Sequence, residues 1–138
     1  MAHAQEMNGY DGTTQYRVTA AAIGNGTRLA PAGAIFIAVR GMSLHTEIRV
    51  IRSPQPITFN QDIKAIVPES IDGDFLYFAL TAHKPTLLGL VEAAGHGTGV
   101  LPTDRLTHLP INRFGPAEER VIGTIFGPLT TRSTSTAV

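Results

Sequence analysis

The sequence predicts an α+β domain: a twisted mixed or antiparallel sheet of short strands, a buried helix pair on one side and a short C-terminal amphipathic helix. Three observations predict it. Short β-branched apolar runs bounded by Gly and Pro fill the first half of the chain. Asp72 and Asp74 then open FLYFALTAH, which is apolar on most sides, as a buried helix is. The final apolar segment, GPAEERVIGTIFGPL, spaces its apolar residues at helical intervals.

Taken in order, residues 1–15 are polar, with Gly9 and Gly12 and no periodicity, and read as a loose end. YRVTAAAI (16–23) reads as a strand, GNGTR after it as a turn, and Pro31-Ala32-Gly33 as a second turn. AIFIAVRG (34–41) is a buried strand ending at Gly41. TEIRVI (46–51) alternates as a half-exposed strand does, and SPQP stops it because proline has no N–H for a ladder. ITFNQDIKAIVP (57–68) gives a further strand centred on IKAIV.

A helix is expected over about 73–83, with the aspartates near its free N–H groups. Pro85 interrupts it, and PTLLGLVEAA resumes helical character until Gly95 caps it. LPTDRLTHLPI then reads as loop and short strand. In the last segment Pro116 suits the first helical position, Glu118 and Glu119 its first turn, and Val121, Ile122, Ile125, Phe126 and Leu129 form one stripe. Gly127-Pro128 is expected to cut this helix short, leaving 130–138 as a polar tail. The domain body is thus 16–114, followed by the helix start at 115–129.

Composition narrows the function. At 138 residues, 43% of them hydrophobic and 16% charged, the chain is a single folded domain rather than a disordered one. Without cysteine it has neither a disulfide framework nor a thiolate metal site, which fits a reducing compartment. The opening MAHAQEMNGYDGTTQ lacks the basic cluster and apolar run of a secretory signal, and the longest apolar stretches fall short of a membrane span. A cytoplasmic protein with no membrane partner is expected.

Eleven basic residues balance 11 acidic ones, against a DNA clamp that works by total charge. The charges are unevenly placed: Arg17, Arg28, Arg40, Arg49 and Arg52 meet only Glu47, whereas Asp62, Glu69, Asp72 and Asp74 outnumber Lys64. One part of the surface is expected to be positive and another negative.

Motifs for catalysis are weak. The glycines of GHGTGV follow an expected helix rather than precede one, and no Lys-Ser/Thr pair accompanies them, so a turn is a better reading than a phosphate cradle. Ser43 and His45 are neighbours without a G-x-S-x-G elbow. His3, His45, His83, His96 and His108 show no metal-ligand spacing. No catalytic residue, metal site or cofactor is assigned.

The order of segments says more. PAGAIFIAVRG, FNQDIKAIVPES, GDFLYFAL, GHGTGVLPTDRLTHLPI and GPAEERVIGTIF together resemble one target recognition domain of the DNA specificity subunit of type I restriction-modification systems, in truncated form. That family shows, in this order, a glycine-ended strand, an Asn-Gln strand opening, an aromatic helix, a glycine-threonine turn leading to Leu-Pro-Ile, and a Pro-x-x-Glu-Gln helix start. The resemblance spans about residues 16–129. Glu119-Arg120 stands where the family has Glu-Gln, and neither a second recognition domain nor a long spacer helix is expected here.

The resemblance implies a non-catalytic adaptor that reads double-stranded DNA and directs partner subunits. These are a methyltransferase that methylates adenine with S-adenosylmethionine and, through it, a restriction subunit that translocates and cleaves. Self-association is a further expectation. Arginine pairs bidentately with guanine, and phosphate contacts add affinity. Candidate contacts are Arg28 in a polar loop; Arg40, Ser43 and His45 at and beyond a strand end, equally read as a plain surface turn; and His96 and Thr98, whose turn also reads as simple chain reversal. Asn60 and Gln61 are expected as hydrogen-bonding pegs within the fold. The alternatives are a remnant that binds a methyltransferase subunit without reading DNA, and a small enzyme of unrelated activity.

Overall fold

A computed structural model describes residues 28–132, with the backbone alone for 127–132; the expected strand at 16–23 and most of the polar tail lie outside the described residues. The domain is α+β, as its sequence predicts. Its strands are β1 (Arg28–Ala30), β2 (Ile35–Ala38), β3 (Arg40–Gly41), β4 (Val50–Arg52), β5 (Ile57–Phe59), β6 (Ile63–Ile66), β7 (Glu92–Ala93) and β8 (Gly99–Val100). They form three antiparallel sheets, ordered β1-β5, β4-β2-β6 and β3-β8-β7.

β2 is the structural centre. Its four residues are at most 1% exposed, so both faces are covered and the strand reads as a continuous apolar run. Successive side chains divide between two cores. Ile35 and Ile37 join Leu44, Val50, Leu76, Leu80, Leu87 and Leu101 on one side. Phe36 and Ala38 join Ala30, Ile51, Ile57 and Ile63 on the other, where Phe36 meets the Phe59 ring edge-on at 5.8 Å.

Several expected elements are subdivided. The run AIFIAVRG changes sheets at Val39: its N–H donates to the Asp62 carbonyl, and its own carbonyl accepts from Leu101 N–H, so the chain passes from β2 to β3. The strand expected at 46–51 begins only at β4, because residues 42–46 are taken up by a 3-10 turn over Met42–His45 and its cap, and the ladder to β2 is first joined by the Arg49 carbonyl, which accepts from Ala38 N–H at 3.2 Å. FNQDI folds into a tight connection between β5 and β6. Asn60 Oδ1 accepts from Asp62 N–H at 2.9 Å, making Asn60 a turn-forming peg, whereas Gln61 is exposed.

The helix pair is α1 (Gly73–Ala82) and α2 (Lys84–Gly89), joined at His83 with Pro85 in the first turn of α2. Asp72 caps α1, accepting from Phe75 N–H at 2.9 Å. α2 ends at Gly89 rather than Gly95, because Glu92 and Ala93 pair with β8 and so lie in an extended strand. The expected loop-and-strand of LPTDRLTHLPI contains instead the short α3 (Thr103–Thr107), which turns Leu106 into the core.

α4 (Pro116–Arg132) continues through Gly127-Pro128 instead of stopping there. Proline lacks the N–H of one rung of the hydrogen-bond ladder, and the loss of that single bond does not end this helix. Residues 130–132 are therefore helical. The apolar stripe also divides. Among its described side chains Glu119 and Gly123, one turn apart, are the buried positions, Phe126 stacks on Phe78 at 5.2 Å, and Val121 and Ile125 are exposed; the Leu129 side chain lies outside the described residues. Gly123 permits the close approach of α1: a Cβ there would lie 2.7 Å from both Asp72 Oδ1 and Phe75 N.

Candidate nucleic-acid interface

The β3-β8-β7 sheet gathers residues far apart in the chain. Arg40 pairs with Val100 and Gly41 with Gly99, antiparallel, so the chain leaves β3 at the end where it enters β8. Ala93 also pairs with Gly99, making residues 94–98 the connection of a β7–β8 hairpin. The Met42–His45 turn and this hairpin loop consequently emerge from the same end of the sheet. Arg40, Ser43, His45, His96 and Thr98 all belong to that sheet or to these two turns.

Arg28 belongs elsewhere. It opens β1 opposite Phe59 rather than lying in a polar loop, because backbone pairing with β5 draws the chain into an extended strand.

Each turn is held by the backbone. The Ser43 carbonyl accepts from Thr46 N, Glu47 N and Thr46 Oγ1, all at 3.0 Å. Ahead of the turn Gly41 adopts φ 152°, a conformation open in practice only to glycine. In the hairpin loop Ala94 N donates to the Thr98 carbonyl at 2.7 Å and Thr98 N to the Gly95 carbonyl at 3.2 Å. His96 lies between them in the left-handed region, φ 59° and ψ 34°. It is exposed and flanked by glycines, so the loop places a side chain where glycine would be relaxed.

The electrostatics select among the arginines. Arg49 binds Glu47 at 2.7 Å, and Arg52 binds Asp74 together with the Gly33 carbonyl. The basic block and the acidic block that follows it thus partly neutralise each other through Arg52 and Asp74, instead of forming wholly separate faces. Glu92, on β7, is matched by Arg105 at 3.6 Å. Arg40 is exposed and forms no ion pair with any described residue, and His45 and His96 are likewise exposed. Arg40 therefore stands beside these two turns as a charge without an ion-pair partner among the described residues.

Ser43 and His45 lie on a 3-10 turn, not on the continuous strand that would set them on one face, and no hydrogen bond joins them. The glycine loop follows a strand and leads into another, so it does not open an α-helix as a phosphate cradle does. Among the described residues no three His, Asp or Glu side chains converge as metal ligands. A groove of about 440 Å³ between β6, α1 and α3 is walled by Ile66, Leu76, Leu80 and Leu106, with Lys64 its single titratable lining residue. No described helix is long and apolar enough to cross a membrane.

A second polar feature escapes sequence reading. Glu119 is 1% exposed, and Arg113 grips it with both ends of its guanidinium, Nε to Oε2 at 2.7 Å and Nη2 to Oε1 at 3.0 Å. Phe114 N–H adds a bond of 2.9 Å, and Arg113 Nη2 reaches the Ser70 carbonyl at 3.1 Å. The Arg113 side chain, then the Phe114 N–H, hold the Glu119 carboxyl below its ordinary range despite burial, and the same contact raises Arg113. This latch fixes how α4 leaves the domain. The sequence signal available was an acidic residue in the first turn of a helix, which ordinarily marks only a favourable dipole interaction.

Compared with known proteins, the chain matches no family model and no curated protein.

Proposed function

We propose that this chain is the sequence-reading module of a type I restriction-modification specificity subunit, acting in the cytoplasm to direct adenine methylation and cleavage by partner subunits. The proposal starts from the resemblance of five segments in order. The single observation that best supports it is that the turn bearing Ser43 and His45 and the loop bearing His96 and Thr98 leave the same end of the β3-β8-β7 sheet, with Arg40 one residue inside that end on β3. Two backbone-braced turns displaying imidazoles and hydroxyls, beside an arginine on β3 that has no ion-pair partner among the described residues, offer donors for phosphate and for base edges together. The neutral total charge is compatible with this role where partner subunits help to enclose the duplex.

An enzyme is less well supported, since the apolar groove offers Lys64 but no second titratable group to work with it. A protein-interaction module that ignores DNA has one observation in its favour, the exposed Val121 and Ile125 on α4, which would suit a methyltransferase subunit or a second copy. Selection from random duplexes, with and without a methyltransferase subunit, separates these readings. A DNA reader enriches a defined sequence and binds it with salt-sensitive affinity; an interaction module co-purifies with the subunit and enriches nothing; an enzyme turns over a small molecule unaided.

A further inference from the structure

We infer that Met42 is a specificity-determining residue that contacts the 5-methyl group of a thymine in the major groove, an inference that rests on the DNA-reading proposal above. At 72% exposure Met42 is the most exposed large apolar side chain among the described residues. An isolated exposed methionine ordinarily needs no explanation. This one stands on a turn whose conformation is fixed on every side. The Ser43 carbonyl accepts its three bonds directly behind it, Leu44 is buried against Gly99, and Gly41 in front holds a backbone geometry reserved for glycine.

Its surroundings supply what a base-edge contact needs. Arg40 and His45 flank it in sequence, and the loop bearing His96 and Thr98 emerges beside it. Those groups donate hydrogen bonds, which suit the guanine and adenine acceptors of the major groove. Thymine also presents a methyl group that no donor reads, and an apolar side chain is required to sense it. An unbranched, polarizable thioether matches that task. The other exposed large apolar residues among those described, Leu29, Val67, Phe114, Val121, Ile125 and Phe126, lie outside these two turns and their sheet. Met42 is the apolar member of an otherwise polar reading edge.

The test uses the full chain and the duplex recovered by selection, prepared with thymine or with uracil, which lacks only the methyl. Wild type is expected to bind the uracil duplex about fourfold more weakly at one position, the worth of one buried carbon at about 0.8 kcal/mol. Met42→Ala is expected to bind both duplexes alike, at the affinity of wild type for uracil, with an unchanged melting temperature. The inference is overturned if the variant still discriminates, if it loses equally on both duplexes as a wedge between base steps would, if it matches wild type on both, or if the recovered site contains no thymine. A wild-type chain that recovers no sequence at all overturns the DNA-reading proposal itself, and this inference with it.

Discussion

Leu44 and Gly99 are packed so closely that a Cβ added to Gly99 would lie 3.0 Å from the Leu44 Cβ, with Val91 Cγ1 at 3.1 Å and the Gly41 carbonyl at 3.2 Å. Leu44 belongs to the turn after β3 and Gly99 to the strand after the hairpin loop. Their contact joins the two displayed turns into one unit.

Gly99→Ala is therefore an overpacking change at the joint. It is expected to destabilise the domain by about 1–3 kcal/mol, read as a lower urea midpoint, and to weaken sequence preference by moving both turns. A variant as stable as wild type would show that the joint yields freely.

His96 tests whether the left-handed geometry serves a purpose. His96→Gly relieves the conformation and is expected to leave stability unchanged or to raise it by about 1 kcal/mol, while reducing affinity for the selected duplex. Undiminished binding by the glycine variant would reduce the loop to a chain reversal.

The arginines differ by their pairing. Arg40→Ala is expected to abolish sequence preference or, if the contact is to phosphate, to lower the slope of log affinity against log salt by about 0.9. Arg49→Ala, whose partner is Glu47, is expected to change neither, so equal losses in the two variants would contradict this assignment. Competition titrations at several salt concentrations measure both quantities.

Glu119 gives a pH dependence. Its folded carboxyl is held below the ordinary value of 4.5, so as pH falls the unfolded chain takes up the proton first. The stabilisation is complete above that value and is lost as pH descends through the lowered folded value. Wild type is expected to exceed Glu119→Gln in urea midpoint at pH 7, with the gap narrowing below pH 4.5. A gap that stays constant with pH would mean that the Arg113 contact does not distinguish charge.

The sequence made most of the element types legible and few of the joints. The buried run at 34–41 was visible because β-branched apolar residues crowd it, yet its change of sheet at Val39 depends on Asp62 and Leu101, residues it meets only on folding. The aspartate-capped start of α1 was equally plain, since Asp72 acts within its own turn. VEAA, in contrast, reads as helix and becomes a strand because Gly99 and Val100 offer it a ladder. The candidate contacts are recognisable as residue types near turns; that the Met42–His45 turn and the His96 loop leave one end of a sheet follows from the pairing of Gly41 with Gly99, which no local pattern records. Arg28 reads as loop for the same reason, since its strand pairing with Phe59 forms only on folding.

The division of β2 between two cores also governs what this surface can become. Sliding the strand by a single residue would send Phe36 and Ala38 into space shaped for Ile35 and Ile37, and the reverse, so misalignment is strongly penalised. Arg40 follows only two positions after Ala38. The displayed turns therefore start from a fixed datum, and their side chains are free to diversify without recalibrating the body that carries them.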